Sequence, residues 1–150
     1  MTRGNARELA LHLIYAQEFP GEPPLETVND GLKEEYRATL AGEYPLYGED
    51  AASQRTYIDR VVAGVADKQE ELNEHIRSLS KGWDLRRISR ITRAVLQLSM
   101  YEILFEEDVP TGVSISEAVR LAKLYDSEEA GSFVNGILGT FARSLTEAKA

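Results

Sequence analysis

The chain has 150 residues, enough for one domain with a buried core. Its formal net charge of −8 argues against a general binder of polyanions, because affinity for nucleic acids rests largely on lysine and arginine. It has no cysteine and two histidines, which excludes a disulfide framework and leaves little for a zinc site. No apolar run is long enough to span a bilayer and the first residues do not resemble a signal peptide, so we expect a cytoplasmic protein with no membrane partner.

The first half of the chain is predicted to form three helices. Apolar residues recur at helical spacing over residues 6–14, and Pro20 ends this first helix. A second helix is predicted over about 25–40 and a long third helix over about 52–79. Together they predict an N-terminal helical subdomain of about residues 1–79.

The second half is organised around one apolar helix. Residues 91–105 are apolar on every face, which is typical of a buried central helix. Before it, Asp84 is predicted to cap a short helix over 85–88. After it, Ser114 and Glu117 match a capping box and predict the start of the next helix.

The last helix is predicted to begin at an acidic run, residues 126–129, because acidic side chains suit the positive end of a helix. No strand, repeat or low-complexity segment is indicated. The predicted fold class is therefore all-α, with about seven helices in two packed helical subdomains. These subdomains, about 1–79 and 80–150, make up one domain over residues 1–150.

No catalytic site is indicated. The sequence lacks a serine nucleophile motif, a glycine-rich phosphate-binding loop, a dinucleotide-binding fingerprint and a His-Glu-x-x-His zinc motif. Acidic pairs such as Glu34 and Glu35 are interpreted as solvated helix faces. We therefore expect a protein that is not an enzyme and that has neither a cofactor nor a metal site.

The charge is unevenly spread, which favours one binding face. Residues 18–50 contain nine acidic and two basic residues, giving −7, whereas residues 77–93 contain six basic residues and one acidic residue, giving +5. Arg86, Arg90 and Arg93 are spaced to lie near one side of a helix or helix pair, where their planar forks can bind phosphate. The alternative is that they pair with the acidic segment or keep the surface soluble.

A second candidate for RNA contact is the first helix. Arg3 and Arg7 lie one turn apart and Tyr15 lies two turns beyond Arg7. Two cations and an aromatic ring on one edge can hold a single-stranded backbone and stack one base. The alternative is that Tyr15 is a core or rim residue.

Two polar residues interrupt apolar faces. Glu102 lies within the apolar helix, and a buried carboxylate must be paired or hydrogen-bonded. We favour hydrogen bonds from a neighbouring helix N-terminus or from an arginine over contact with a partner protein. Asn135 is interpreted in the same way, as an internal hydrogen-bond anchor.

Several motifs, taken in order, resemble those of one bacterial family. They are Ala6-Arg7-Glu8 and Leu13-Ile14-Tyr15, Tyr57 with Val62-Ala63-Gly64-Val65, Trp83-Asp84-Leu85-Arg86-Arg87-Ile88, Arg93-Ala94-Val95-Leu96, Tyr101-Glu102-Ile103, Val109-Pro110, residues 115–123, and Phe133-Val134-Asn135-Gly136-Ile137-Leu138. By these motifs the chain resembles the NusB family of transcription antitermination factors. The resemblance covers nearly the whole chain and is weakest over residues 20–52.

The resemblance implies an all-helical fold of two subdomains and an RNA-binding function. It implies binding to single-stranded boxA RNA of rRNA operon leaders, together with the small-subunit ribosomal protein NusE. That complex joins RNA polymerase and suppresses premature termination. The resemblance implies RNA contacts at the N-terminus, the first helix and the C-terminal subdomain, on which NusE also docks.

Residue by residue, the resemblance places RNA contacts at Arg7, Tyr15 and Phe133, with Arg3 as a remnant of an arginine-rich start. It places partner contacts on the C-terminal subdomain, and we assign these to Tyr101, Glu102 and Glu129.

The chain departs from the family pattern by losing positive charge. Its N-terminal arginine cluster is reduced, and Gly131 and Ser132 stand where some members have His and Lys. Fewer phosphate contacts predict weak binding of RNA by the chain alone and tighter binding with NusE. The alternative function is a helical protein–protein adaptor or homodimer with weak or no RNA binding of its own.

Overall fold

The computed structural model describes residues 1–17, 52–83 and 88–149. Within these ranges it contains six α-helices, one short 3-10 helix at Ala52–Gln54 and no strand. The α-helices are α1 (Arg3–Ala16), α2 (Arg55–Asp67), α3 (Gln69–Leu79), α4 (Arg90–Phe105), α5 (Thr111–Tyr125) and α6 (Glu128–Lys149). The all-α fold class is confirmed. The helix predicted over 25–40, and residues 85–87 of the short helix predicted over 85–88, lie outside the described residues. None of the described helices is long and apolar enough to cross a membrane.

The chain divides into two compact units, Met1–Asp67 and Lys68–Ala150. In the first unit, α1 packs against α2. The apolar stripe predicted for α1 is buried, and α2 contributes a matching set at three- and four-residue spacing. The division comes earlier than the subdomain boundary expected near residue 79, since α3 packs with the second unit, against α4 and α6.

The prediction of one long helix over 52–79 is wrong, because this segment forms two α-helices, α2 and α3. Lys68 leaves the helical conformation at φ −100° and ψ 14°, and it separates α2 from α3. Its carbonyl still accepts a hydrogen bond from the Leu72 amide at 2.9 Å, so the chain resumes its helix at once. The apolar period continues through the break because both segments are amphipathic, although they pack on different partners.

Helix α4 is the centre of the second unit, as its all-round apolar pattern predicts. Residues 94–102 are buried without exception. Helices α3, α5 and α6 all pack against it. Burial on every side leaves none of this stretch available to solvent, so the polar side chains within it must find partners inside the unit.

The predicted capping box at Ser114 is wrong. Helix α5 begins at Thr111, and the Pro110 carbonyl accepts hydrogen bonds from the Val113 and Ser114 amides at 3.0 and 3.1 Å. The Ser114 hydroxyl is buried instead, donating to Glu102 Oε1 at 3.1 Å. Its Oγ also lies 2.9 Å from Ser99 Oγ. The carboxylate of Glu102 is therefore hydrogen-bonded within the core, as the structural interpretation expects, although a serine hydroxyl is a donor that the prediction did not name.

Asp126 joins the start of α4 to the end of α5. Its Oδ2 accepts hydrogen bonds from the hydroxyls of Ser89 and Thr92, each at 2.6 Å. These bonds, with that from Ser89 the larger cause, hold the pKa of Asp126 below its usual range. The predicted acidic start of the last helix is confirmed, with Glu128 and Glu129 in the first turn of α6.

Removing the Ser114 hydroxyl is expected to destabilise the fold. In Ser114→Ala the buried Glu102 loses a donor, and an unsatisfied buried acceptor costs about 1–3 kcal/mol. The measurement is the free energy of unfolding in urea, followed by circular dichroism. Ser116→Ala, at an exposed position of the same helix, is the matched control and should stay within about 0.5 kcal/mol of the natural chain. Equal stabilities for the two variants would contradict the role of Ser114.

The contribution of Asp126 to stability is expected to depend on pH. A carboxyl whose pKa is lowered by folding stabilises the fold above its unfolded pKa, and this stabilisation is lost as pH falls through the folded value. The difference in unfolding free energy between the natural chain and Asp126→Asn should therefore be largest near neutral pH and shrink from about pH 4 downward. Ser89→Ala, which removes the main donor, should reduce the same pH dependence. A difference that is constant with pH would refute this account.

Candidate nucleic-acid interface

The first candidate cation stands on the first turn of α1, in the first unit. Thr2 caps this helix, its Oγ1 accepting from the Asn5 amide at 3.1 Å. Arg3 Nε donates to Gln54 Oε1 at 2.8 Å, and the guanidinium carbon lies 4.1 Å from the centroid of the Tyr57 ring. Arg3 is half-buried. Its charge is thus held by a neutral amide and an aromatic ring at the positive end of a helix.

Arg7 shares the same ring but lies inside the protein. Its guanidinium carbon is 5.9 Å from the centroid of Tyr57, and it is only 3% exposed. Tyr57 itself is 2% exposed. The structure therefore brings the two predicted arginines together around one buried aromatic residue. Of the two, Arg3 is the cation that solvent and a ligand reach more readily.

Tyr15 lies half-buried near the end of α1, roughly 12 Å along the helix from Arg7 at the usual rise per residue. Between them, His12 is half-buried, and burial lowers its pKa while Glu8 opposes that shift. Burial therefore favours the neutral form of the His12 imidazole.

The second unit contains a cavity of about 370 Å³. Its lining residues are Gly82, Trp83, Ile88, Thr92, Asp126, Ser127, Glu129, Ala130 and Phe133. Trp83 is 50% exposed and meets the buried ring of Phe133 edge to face, with centroids 4.8 Å apart. An exposed indole supported by a buried ring is a surface on which a nucleotide base can stack.

Two of the predicted basic residues are close in sequence to Thr92, a residue of α4 that lines this cavity. Arg90 and Arg93 are exposed on the first turn of α4, on either side of Thr92, which lines the cavity. Ser89 caps the helix by accepting from the Thr92 amide at 3.1 Å. The third predicted cation, Arg86, lies outside the described residues.

The three predicted partner contacts do not form one surface. Tyr101 is buried and stacks on exposed Phe105, with ring centroids 5.0 Å apart. Glu102 is 0% exposed, so a partner protein cannot reach its carboxylate in this conformation. Glu129 lines the cavity with Phe133. Tyr101 and Thr92 are nine positions apart on α4, or roughly 13 Å at the usual helical rise.

Two residues of the candidate site were not apparent in the sequence. Nothing in the local pattern around Trp83 or Asp126 predicts that they line one cavity with Phe133. The interpretation of Asn135 as an internal anchor is wrong, since Asn135 is exposed on α6.

Lys123 also has a role that the sequence did not reveal. A Cβ added at Gly131 would lie 2.6 Å from Lys123 Cγ, so the lysine chain occupies the space that a side chain at 131 would fill. Its Nζ lies 3.6 Å from Glu128 Oε2. The Lys123 charge is thus paired with a carboxylate in the first turn of α6.

Replacing Arg7 is expected to affect stability more than replacing Arg3. Arg7→Ala removes a buried side chain that covers Tyr57 and should lower the free energy of unfolding by about 1–3 kcal/mol. Arg3→Ala removes a half-buried side chain and should cost less than about 1 kcal/mol. Thermal and urea unfolding measure both. If Arg7→Ala unfolds like the natural chain, Arg7 does not support Tyr57.

The chain matches known proteins along most of its length. The model of the NusB family matches residues 4–143. A protein of Acetivibrio thermocellus named transcription antitermination protein NusB is 43% identical to this chain, over 93% of this chain and 87% of the relative. A protein of the same name in Carboxydothermus hydrogenoformans is 37% identical, over 98% of this chain and 96% of the relative.

Solved structures show the same fold. NusB of T. maritima superimposes with a TM-score of 0.77 at 30% identity, covering 95% of this chain and 92% of that one. A chain from a complex of NusB and NusE with double-stranded RNA shares the fold at a TM-score of 0.73 and 23% identity, over 95% of this chain and 96% of that one. With the family model matched over nearly all of its residues, this chain belongs to the NusB family.

Proposed function

We propose that this protein is a non-enzymatic transcription antitermination factor that binds boxA-like single-stranded RNA of rRNA operon leaders. It does so together with the ribosomal protein NusE, as part of an RNA polymerase antitermination complex. Membership of the NusB family supports the general function. The single structural observation that supports RNA binding is the aromatic cavity at Trp83 and Phe133. Its lining residue Thr92 has two exposed arginines, Arg90 and Arg93, as near neighbours in sequence.

The cavity has the chemistry that single-stranded RNA requires. An unpaired base can stack on Trp83, and its amino groups can donate to a carboxylate such as Glu129. Phosphates are held elsewhere, at the guanidinium groups of Arg90 and Arg93. Acidic residues within an RNA site are therefore consistent with base recognition, provided that the backbone is bound by cations outside the cavity.

The cavity carboxylates also argue against general binding of nucleic acids. Asp126 and Glu129 repel phosphate, so a duplex whose bases are hidden gains little here. Only a strand that presents unstacked bases can use the indole and the carboxylates. The arrangement thus favours single strands.

A protein partner is supported by exposed apolar side chains on the second unit. Phe105 is 42% exposed, Val113 46% and Leu124 59%. Exposed large apolar groups of this kind mark protein interaction sites more often than RNA sites. The net charge of −8 suits a basic partner, because opposite charges speed and orient association.

The protein is expected to prefer boxA-like RNA over a scrambled strand, most clearly when NusE is present. Two moderate RNA surfaces joined in one complex bind more tightly than either alone. Fluorescence anisotropy at two salt concentrations, with and without NusE, measures the affinities. No preference even with NusE would contradict the antitermination function, and would leave a protein adaptor or a homodimer as the alternative, which sedimentation would identify.

Trp83 offers a direct readout, because it is the only tryptophan in the chain. RNA binding is expected to quench its fluorescence, and Trp83→Ala is expected to weaken binding by about 1–3 kcal/mol, the usual value of one base–aromatic stack. Phe105→Ala removes an exposed aromatic residue at the other end of α4 and is the matched control for binding of RNA alone. If both variants bind RNA equally, the cavity is not the base-binding site.

A further inference from the structure

Arg3 has an unusual set of neighbours for an arginine near the surface. Its Nε donates a hydrogen bond to Gln54 Oε1 at 2.8 Å, and its guanidinium carbon lies 4.1 Å from the centroid of the Tyr57 ring. Over residues 1–17, 52–83 and 88–149, no carboxylate forms an ion pair with it. A guanidinium has five N–H donors, and Nε carries one of them. The four donors on the two terminal nitrogens remain for a ligand.

We propose that Gln54 and Tyr57 are positioning residues that hold Arg3 as a fixed fork for one RNA phosphate. This inference rests on the RNA-binding function proposed above, and it assigns to Gln54 a role that the sequence did not suggest. The fork is the edge formed by Nη1 and Nη2, whose parallel N–H groups match two oxygens of a phosphate.

The two contacts restrict different motions of the side chain. The guanidinium carbon lies 4.1 Å from the centroid of the Tyr57 ring, which is only 2% exposed, so this contact keeps the guanidinium against a ring that is held in the core. The hydrogen bond from Arg3 Nε to Gln54 Oε1 restricts rotation of the guanidinium over that ring. An arginine already ordered in this way loses little freedom on binding, so more of its interaction with phosphate appears as affinity.

The identity of residue 54 determines whether Arg3 keeps its full positive charge. A carboxylate at this position would hold Arg3 equally well but would neutralise it and repel phosphate. The amide oxygen of Gln54 accepts the hydrogen bond and leaves the full positive charge. This is useful in a chain whose second N-terminal arginine, Arg7, is 3% exposed.

The test is a double-mutant cycle of Gln54 and Arg3, with anisotropy of a labelled boxA-like RNA in the presence of NusE. Gln54→Ala is expected to weaken binding two- to tenfold, on the order of one side chain's ordering cost, with the salt slope unchanged. Arg3→Ala should lose more affinity and lower the slope of log affinity against log salt by about 0.7, the contribution of one single-strand phosphate. In the Arg3→Ala background, Gln54→Ala should then change affinity less than about twofold.

Two further variants and a spectroscopic measurement complete the test. Gln54→Glu should bind more weakly than Gln54→Ala, because its carboxylate pairs with Arg3. Gln69→Ala, an exposed glutamine on α3, should bind like the natural chain. In the free protein, the NMR signal of Arg3 Nε–H should exchange slowly with water, and faster in Gln54→Ala.

The outcomes separate this inference from the function on which it rests. If the natural chain with NusE shows no preference for the boxA-like RNA, both fail. If it binds with preference and Gln54→Ala binds equally well, only the positioning role fails. A loss of affinity from Gln54→Ala that persists in the Arg3→Ala background also overturns it, since Gln54 would then act independently of Arg3.

Discussion

Helix α4 has no polar face, and this constraint organises the second unit. Residues 94–102 are all buried, so α3, α5 and α6 must cover the helix from several sides. Polar groups caught inside then need specific partners, because an unsatisfied buried polar group is costly. Gln97 donates to Asn73 on α3 at 2.8 Å, while Ser99 and Glu102 are bonded to Ser114 on α5. Apolar burial brings the helices together, and these few bonds fix their register.

The same register builds the proposed RNA site. With α4 immobilised, Ser89 and Thr92 at its start hold Asp126, and Asp126 sets the position of the α5–α6 connection. That connection leads directly into α6, which supplies Glu129, Ala130 and Phe133 to the cavity wall. A cavity whose walls are tied to a buried helix needs little reordering when a base enters. Under the proposed function, the packing of the core would contribute to RNA affinity without contacting RNA.

Much of the fold could be predicted from the sequence, but less of the site. The all-round apolar pattern of 91–105 predicted a central helix because burial depends on composition around the whole helix. The motif at Ser114 failed because a local pattern cannot tell a capping hydroxyl from one bonded to a buried carboxylate. Arg7 was predicted as an RNA contact, and its burial beside the Tyr57 ring could not be predicted, because a charged residue in a sequence does not reveal what packs against it. The cavity joins residues from three parts of the chain, and only the tertiary structure shows them together.

The sparse positive charge of this chain bears on how the proposed RNA recognition would be divided among its contacts. Each phosphate contact adds about 0.7 to the salt slope for single strands, so a site with few cations has a weak nonspecific component. In the proposed site, stacking on Trp83 and base contacts in the cavity would supply a larger share of the binding free energy, and these depend on the bases presented. In the proposed site, Gln54 holds Arg3 without neutralising its charge. A net charge of −8 is therefore compatible with an RNA-binding protein whose binding depends more on base identity than on phosphate charge.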